Sequence, residues 1–244
     1  MNTKRNRKLQ LFGMALTMAL LMAISAGCEK EGKIAGDGVI DGHTYMDLGL
    51  PSGTLWAACN VGAKLPEEYG KHFSWGETRD KKNYNWYSYV FADSAYNKLN
   101  KYCNKAYFGA DGFTDSLDVL LQSDDVASVQ WSKNWTMPTH EQWDELMTLT
   151  THTMTERNGV KGYLFTSGNS SLFLPTAGVY HDSTHVDAGT NGVYWSGSLD
   201  TVHSPNRAWY FCFYSGYCGV GCRDRDFGLS VRPVSNIANV SEEE

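Results

Sequence analysis

The distribution of apolar residues divides this chain into a leader, a long middle region and polar connecting segments. Residues 9–24 are apolar except for Gln10, Gly13 and Thr17, whereas residues 29–42 are dominated by Gly, Asp, Glu and Lys. In the middle region, short stretches rich in aromatic residues are separated by Gly, Asn and Ser, and long helical periodicities are almost absent. Such a pattern favours short strands joined by turns and ordered loops. We therefore predict an α+β domain with few helices.

One segment has the pattern of an amphipathic helix. Thr139 is followed three residues later by Gln142, which together make a capping box at a helix start. Trp143, Leu146 and Met147 come next at helical spacing, so they share one face. The sequence predicts a helix that begins after Thr139 and buries this face.

The residues after this helix have the pattern of strands. Asn158-Gly159 forms a two-residue hairpin turn between strands predicted at residues 151–156 and 160–167. Further strands are predicted at residues 171–174, 192–198, 207–214, 217–222 and 227–234.

The leader has the three parts of a secretory signal. Four basic residues precede the apolar run, and Ser25-Ala26-Gly27 supplies small residues directly before Cys28. A cysteine at this place resembles the bacterial lipobox, in which the thiol is acylated after cleavage. A membrane-spanning anchor is the alternative, but the run is shorter than the roughly 20 apolar residues of a span. We predict a signal peptide at residues 1–27, lipidation at Cys28, a tether at 28–42, the domain at 43–234 and a disordered tail at 235–244.

Charge and anchor together limit the partners of the chain. The net charge is −6, and removal of residues 1–27 would make it −10. An acidic surface of this kind does not attract nucleic acid. Several acyl chains on one cysteine would hold the protein to a membrane firmly. The polar residues 29–32 resemble the acidic tract of outer-membrane lipoproteins exposed on the cell surface, and a periplasmic location is the alternative.

A series of motifs in the middle region carries a family resemblance. They are residues 50–63 (LPSGTLWAACNVGA), 73–78 (FSWGET), 123–127 (SDDVA), 135–139 (WTMPT), 172–178 (LFLPTAG), 194–198 (YWSGS) and 228–234 (GLSVRPV). Their order resembles the Fibrobacter succinogenes major paralogous domain family, which is abundant in secreted Bacteroidetes proteins. That family resembles in turn the C-type-lectin-like group that includes formylglycine-generating sulfatase modifiers. The resemblance implies a C-type-lectin-like domain, and it implies no particular reaction.

The cysteines, and one arginine in an apolar predicted strand, suggest specific contacts. Without Cys28, an odd set of five remains: Cys59, Cys103, Cys212, Cys218 and Cys222. We expect a Cys59–Cys103 disulfide, because both residues lie in regions that resemble the family pattern. A second disulfide is expected from Cys222 to Cys218 or Cys212. Arg232 lies within an apolar stretch, so we expect it to bind backbone carbonyls or a carboxylate such as Glu77 or Glu145.

Two candidate sites remain from the sequence. Asp118, Asp124 and Asp125 crowd one loop, where carboxylate oxygens could hold a structural Ca²⁺, although solvated turn aspartates are the commoner case. Trp86, Trp195 and Trp209 are candidates for stacking on sugar rings, and filling the core is the alternative role for each.

The functional expectation is a membrane-anchored, non-enzymatic binding or structural module with no catalytic residue and no resident cofactor. Its expected partner is a glycan or a cell-surface protein. The alternative is a copper-dependent oxidase of the formylglycine-generating type, which would use thiolates of Cys212, Cys218 and Cys222. Soft Cu(I) prefers such ligands. The spacing of Cys212 and Cys218 differs by one residue from the one expected for that family, which would change the face of a strand.

Overall fold

The computed structural model describes residues 36–93 and 98–237 of the chain. Short, mostly antiparallel strands dominate this part, as the α+β prediction requires. The strands are β1 (Gly38–Ile40), β2 (His43–Asp47), β3 (Leu55–Ala57), β4 (His72–Phe73), β5 (Thr151–Arg157), β6 (Val160–Ser167), β7 (Ser170–Pro175), β8 (Val179–His181), β9 (Thr184–Val186), β10 (Gly192–Leu199), β11 (Arg207–Tyr214), β12 (Tyr217–Asp224), β13 (Leu229–Ser230) and β14 (Val234–Ser235). The helices are α1 (Val126–Gln130) and α2 (His140–Leu149), with short 3₁₀ turns at Trp86–Ser88 and Ala110–Gly112.

The strands of the described residues form four sheets. Their orders are β1-β2-β3-β14, β12-β11-β10-β13-β4, β5-β6-β7 and β8-β9. Every strand pair is antiparallel except β10 with β13. The predicted hairpin turn at Asn158-Gly159 joins β5 to β6, because both residues adopt the positive φ that this turn needs.

Both ends of the predicted domain need correction. The predicted tether includes β1, whose pairing with β2 extends the folded part to Gly38. The last predicted strand, residues 227–234, is two strands in different sheets, since β13 pairs with β4 and β10 while β14 pairs with β3. Ser235, assigned to the tail, belongs to β14, and residues 238–244 lie outside the described part.

Helix α2 confirms the sequence prediction in detail. The Thr139 side chain accepts a hydrogen bond from the Gln142 backbone N–H, and the Gln142 side chain accepts one from the Thr139 N–H. Trp143 and Leu146 are fully buried. The Trp143 indole stacks on Phe211 at 4.6 Å and donates a hydrogen bond to the Trp195 carbonyl, which docks the helix on the five-stranded sheet.

Arg232 is fully buried and binds oxygens from two sheets, but no carboxylate of the described residues. Its Nη1 donates to the carbonyls of Ala57 and Ala58 at 2.9 and 2.6 Å, next to β3. Its Nη2 donates to Phe173 O on β7 at 3.1 Å, and Nε donates to Asn60 Oδ1 at 2.8 Å. The prediction of carbonyl partners is confirmed.

The carboxylate partners expected for Arg232 are wrong. Glu77 instead accepts from Lys81 Nζ, and Glu145 accepts from Ser52. These partners already provide hydrogen bonds to both carboxylates.

A second fully buried arginine was not expected from the sequence. Arg225 lies over the Trp75 ring at 4.9 Å, and its Nε donates to the Tyr89 hydroxyl. Its remaining donors reach the carbonyls of Tyr102 and Pro205, among others. Arg225 therefore ties the loop before α1 to the sheet, as Arg232 ties β3 to β7.

Candidate functional site

The three candidate sugar-stacking tryptophans do not form one surface. Trp195 has no exposed area, and its indole donates to Phe73 O in the core, so its prediction as a ligand site is wrong. Trp86 is half-buried against Tyr89, whereas Trp209 is half-buried and stacks on His140 at 4.8 Å. Among the described residues no ring contact joins the three tryptophans. The large apolar ring of Trp195 is buried in the core, where it removes apolar area from water.

The expected Cys59–Cys103 disulfide is not formed. Both residues are buried free thiols. Cys103 packs with Tyr89 and Leu99, and its thiol donates to Lys105 O. Cys59 instead lies close enough to Arg232 for their charges to interact, and burial raises the pKa of its thiol. The two sulfurs thus belong to different packing environments.

The hairpin cysteines are also unpaired, for reasons of strand geometry. Cys212 faces Gly219 across the β11–β12 ladder and Cys218 faces Phe213, so Cys212 lies on the opposite face from Cys218 and Cys222. Cys218 and Cys222 share a face but are four residues apart, about 13 Å along a strand. A disulfide requires Cα atoms within about 7 Å. Both expected pairings are therefore wrong, and the dithiolate that a copper oxidase would need is not assembled.

The aspartates proposed for Ca²⁺ have other partners. Asp125 is buried as the N-cap of α1, and its carboxylate accepts hydrogen bonds from three backbone N–H groups, those of Ala127, Ser128 and Met137. Asp124 Oδ2 accepts from Lys101 and Tyr102. Asp118 is exposed and belongs to no metal-ligand group that the described residues form. Turn formation and an ion pair already use the oxygens of Asp124 and Asp125, so the structure does not bring the three aspartates together as one ligand set among the described residues, and the Ca²⁺ site stays a prediction.

A pocket of about 460 Å³ lies beside β8. Tyr180 is held in place by its neighbours: His185 stacks on its ring at 4.3 Å, and Tyr84 contacts it at 5.3 Å. The Tyr180 hydroxyl makes no hydrogen bond to another described residue. We call this the Tyr180 pocket, and it is lined by Gly70, Lys71, His72, Asp80, Lys81, Lys82, Tyr84, Tyr180 and Ser183.

His72 contributes a neutral side chain to the Tyr180 pocket. His72 is buried, and desolvation lowers its pKa to about 4, so its imidazole is neutral at physiological pH. The Nε2 atoms of His72 and His185 both contact the Ala177 carbonyl, at 3.2 and 2.8 Å. Gly178 follows with φ 68°, and the turn that it permits leads the chain from this carbonyl into β8.

The rim of the pocket is positively charged although the chain is acidic. Lys71 pairs with Asp80 at 2.9 Å, and Lys81 pairs with Glu77 at 2.9 Å. Lys82 is exposed and has no carboxylate partner within the described residues. The arrangement presents one uncompensated ammonium group next to an aromatic ring and a free hydroxyl.

A second cluster lies at the end of the five-stranded sheet. Asp200 and His203 follow β10, and Cys222 comes from β12. Their ligand atoms all lie within 4.8 Å of one another, the only such group of potential metal ligands in the part of the chain that the structure describes. Sequence reasoning considered Cys222 with its neighbouring cysteines alone. The Asp-x-x-His spacing of residues 200–203 was the available signal.

Comparisons with known proteins assign no family. No family model, no curated protein and no solved structure matches the chain. The described residues contain no helix that is both long and apolar enough to cross a bilayer. Cys28 and the predicted signal peptide lie outside the described residues.

Proposed function

We propose that this chain is a lipoprotein of the Fibrobacter succinogenes major paralogous domain type, anchored through Cys28 and exposed at the outer membrane surface. Its domain would be a C-type-lectin-like, non-enzymatic binding module. The leader sequence supports the anchor, and the order of motifs supports the family. The mixture of small antiparallel sheets, one docked helix and long loops is compatible with that fold.

The Tyr180 pocket is the observation that carries the binding function. An aromatic ring suits the apolar face of a sugar, and a free hydroxyl can exchange hydrogen bonds with sugar hydroxyls. Tyr180 is already fixed by His185 and Tyr84, so binding would not have to order its side chain. The proposed ligand is therefore a saccharide.

The charge at the rim narrows the class of saccharide. The unpaired ammonium of Lys82 lies where a carboxylate of a uronic acid could meet it, while neighbouring lysines are neutralised by Asp80 and Glu77. A local positive charge on a chain of net charge −6 favours an anionic ligand at this place over the rest of the surface. We infer that acidic oligosaccharides are bound more tightly than neutral ones.

Calorimetry with oligogalacturonate and neutral cello-oligosaccharide tests this function. The full chain, purified in detergent, should bind oligogalacturonate more tightly, and Lys82→Gln should weaken that binding at least threefold. Lys161→Gln is the matched control, because Lys161 is exposed on β6 outside the pocket and should leave the affinity unchanged. Absence of binding to both saccharides, or equal affinities of wild type and Lys82→Gln, would contradict the proposal.

The anchor has a separate test. Labelling of growing cells with radioactive palmitate should mark the wild-type chain and leave Cys28→Ser unlabelled. Label that persists in Cys28→Ser would refute lipidation at this cysteine. Accessibility of the labelled protein to protease on intact cells would distinguish the surface from the periplasmic location.

The oxidase alternative has no geometric support. A Cu(I) site on the hairpin needs two thiolates that converge, whereas Cys212 and Cys218 project from opposite faces of the sheet.

A further inference from the structure

Asp200, His203 and Cys222 have the arrangement of a divalent-metal site. They supply an oxygen, a nitrogen and a sulfur from two separate segments, residues 200–203 and strand β12, and each pair of ligand atoms lies within 4.8 Å. His203 Nδ1 is 3.2 Å from both carboxylate oxygens of Asp200. Bonds of about 2.0–2.1 Å at a tetrahedral Zn²⁺ place its nitrogen and oxygen ligands about 3.3 Å apart. The observed separation already fits a shared ion.

The Asp200 carboxylate is positioned before any ion arrives. Asp200 has no exposed area, and its Oδ1 accepts hydrogen bonds from the backbone N–H groups of Val202 and His203 at 3.1 and 2.9 Å. These bonds fix the carboxylate, and its Oδ2 lies 3.2 Å from His203 Nδ1. Outer hydrogen bonds of this kind orient metal ligands.

The remaining ligands complete a three-residue set with an accessible side. Cys222 is half-buried, and its sulfur lies within 4.8 Å of the ligand atoms of both Asp200 and His203. The His203 side chain is 63% exposed, which leaves a solvent path to a fourth coordination position. Thiolate and imidazole together suit Zn²⁺, whereas Ca²⁺ and Mg²⁺ prefer oxygen ligands alone.

We propose that Asp200, His203 and Cys222 bind one Zn²⁺, with water as the fourth ligand. The thiol loses its proton to solvent as the Zn–S bond forms. The ion joins the loop between β10 and β11 to β12, the edge strand of the five-stranded sheet. This site is separate from the Tyr180 pocket and stands independently of saccharide binding.

Titration with Co²⁺ as a spectroscopic substitute for Zn²⁺ tests the site. The untagged full chain, purified in detergent with a non-thiol reductant, should bind one Co²⁺ and show a sulfur-to-cobalt charge-transfer band that Zn²⁺ then abolishes. Cys222→Ser should lose the band, and His203→Ala should weaken binding at least about tenfold, since loss of even an outer partner costs about 10–100-fold. Cys218→Ser is the matched control, because Cys218 is half-buried on the same strand face and should change neither result.

Two outcomes would overturn the proposal. One is the absence of a charge-transfer band in the wild-type chain. The other is a band of undiminished intensity in Cys222→Ser. Near-ultraviolet circular dichroism of each metal-free variant shows whether it is folded, and Zn²⁺ should raise the unfolding temperature of the wild type but not of folded Cys222→Ser.

Discussion

Replacement of Arg232 by lysine separates the role of hydrogen bonding from that of charge. Arg232 is fully buried, and its guanidinium serves four acceptors: the carbonyls of Ala57, Ala58 and Phe173, and Asn60 Oδ1. Lysine keeps the positive charge but carries a single nitrogen, which cannot reach oxygens placed around a planar fork. We expect at least two of these acceptors to lose their partner.

The expected loss of stability in Arg232→Lys follows from the cost of leaving buried hydrogen-bond acceptors without a donor. Each buried acceptor without a partner costs about 1–3 kcal/mol, so Arg232→Lys should lower the free energy of unfolding by roughly 2–6 kcal/mol. That is a large part of the roughly 5–15 kcal/mol typical of a domain. Urea unfolding followed by tryptophan fluorescence measures the loss, because eight tryptophans report on the transition.

Arg157→Lys provides the control for Arg232→Lys. Arg157 is 45% exposed, and its Nε contacts Glu67 at 3.3 Å, so water can replace whatever contacts lysine does not make. Arg157→Lys should therefore lower the free energy of unfolding by less than about 1 kcal/mol. If Arg232→Lys were no more destabilising than Arg157→Lys, the guanidinium network would not hold β3 and β7 together, and our account of the core would be refuted.

Two further predictions concern a buried acid and a tight turn. Burial raises the pKa of Asp226 to about 7, and the charge of Asp224 makes a smaller contribution. The folded state therefore keeps a proton that the unfolded state loses between about pH 4 and pH 7. The free energy of unfolding should fall as the pH rises from about 4 to 7. Asp226→Asn should therefore be more stable than wild type at pH 8, by at most about 4 kcal/mol, and urea unfolding that shows equal pH profiles for both proteins would contradict this. Gly178→Ala should lower the free energy of unfolding more than Gly159→Ala. Both glycines have positive φ, which costs an alanine about 1–2 kcal/mol of backbone strain. Only at Gly178 would the new Cβ also lie 2.4 Å from a backbone oxygen, that of Val186, and this overpacking costs about 1–3 kcal/mol more. Thermal unfolding compares the two, and equal losses would show that the turn relaxes around the methyl group.

The parts of the fold that could be predicted are those that local sequence determines. The capping box at Thr139 and the turn at Asn158-Gly159 depend on residues a few positions apart, and both were confirmed. The split of the final strand could not be foreseen in the same way, because β13 and β14 choose partners far away in the chain.

The predictions of candidate sites likewise failed where contacts between distant parts of the sequence decide the structure. Trp195 was misjudged because a tryptophan's exposure depends on the neighbouring strands, and its own position in an aromatic stretch carries no information about them. The Asp200–His203–Cys222 cluster was missed since its third ligand comes from another strand. The position of Arg232 in an apolar stretch was enough to predict carbonyl partners, but not which carbonyls they are.

The strand order pairs β13 and β14 with strands formed much earlier in the chain. β3, near residue 55, pairs with β14, and β4, near residue 73, pairs with β13. Both strands therefore need partners from residues 229–235. A ribosome delivers the amino-terminal strands long before those partners, and contacts of such sequence separation form slowly. The nascent polypeptide must therefore remain open along these edges until residues 229–235 have been made. Any product terminated ahead of residue 229 would expose the edges of β3 and β4 permanently, and unpaired edges of this kind promote aggregation.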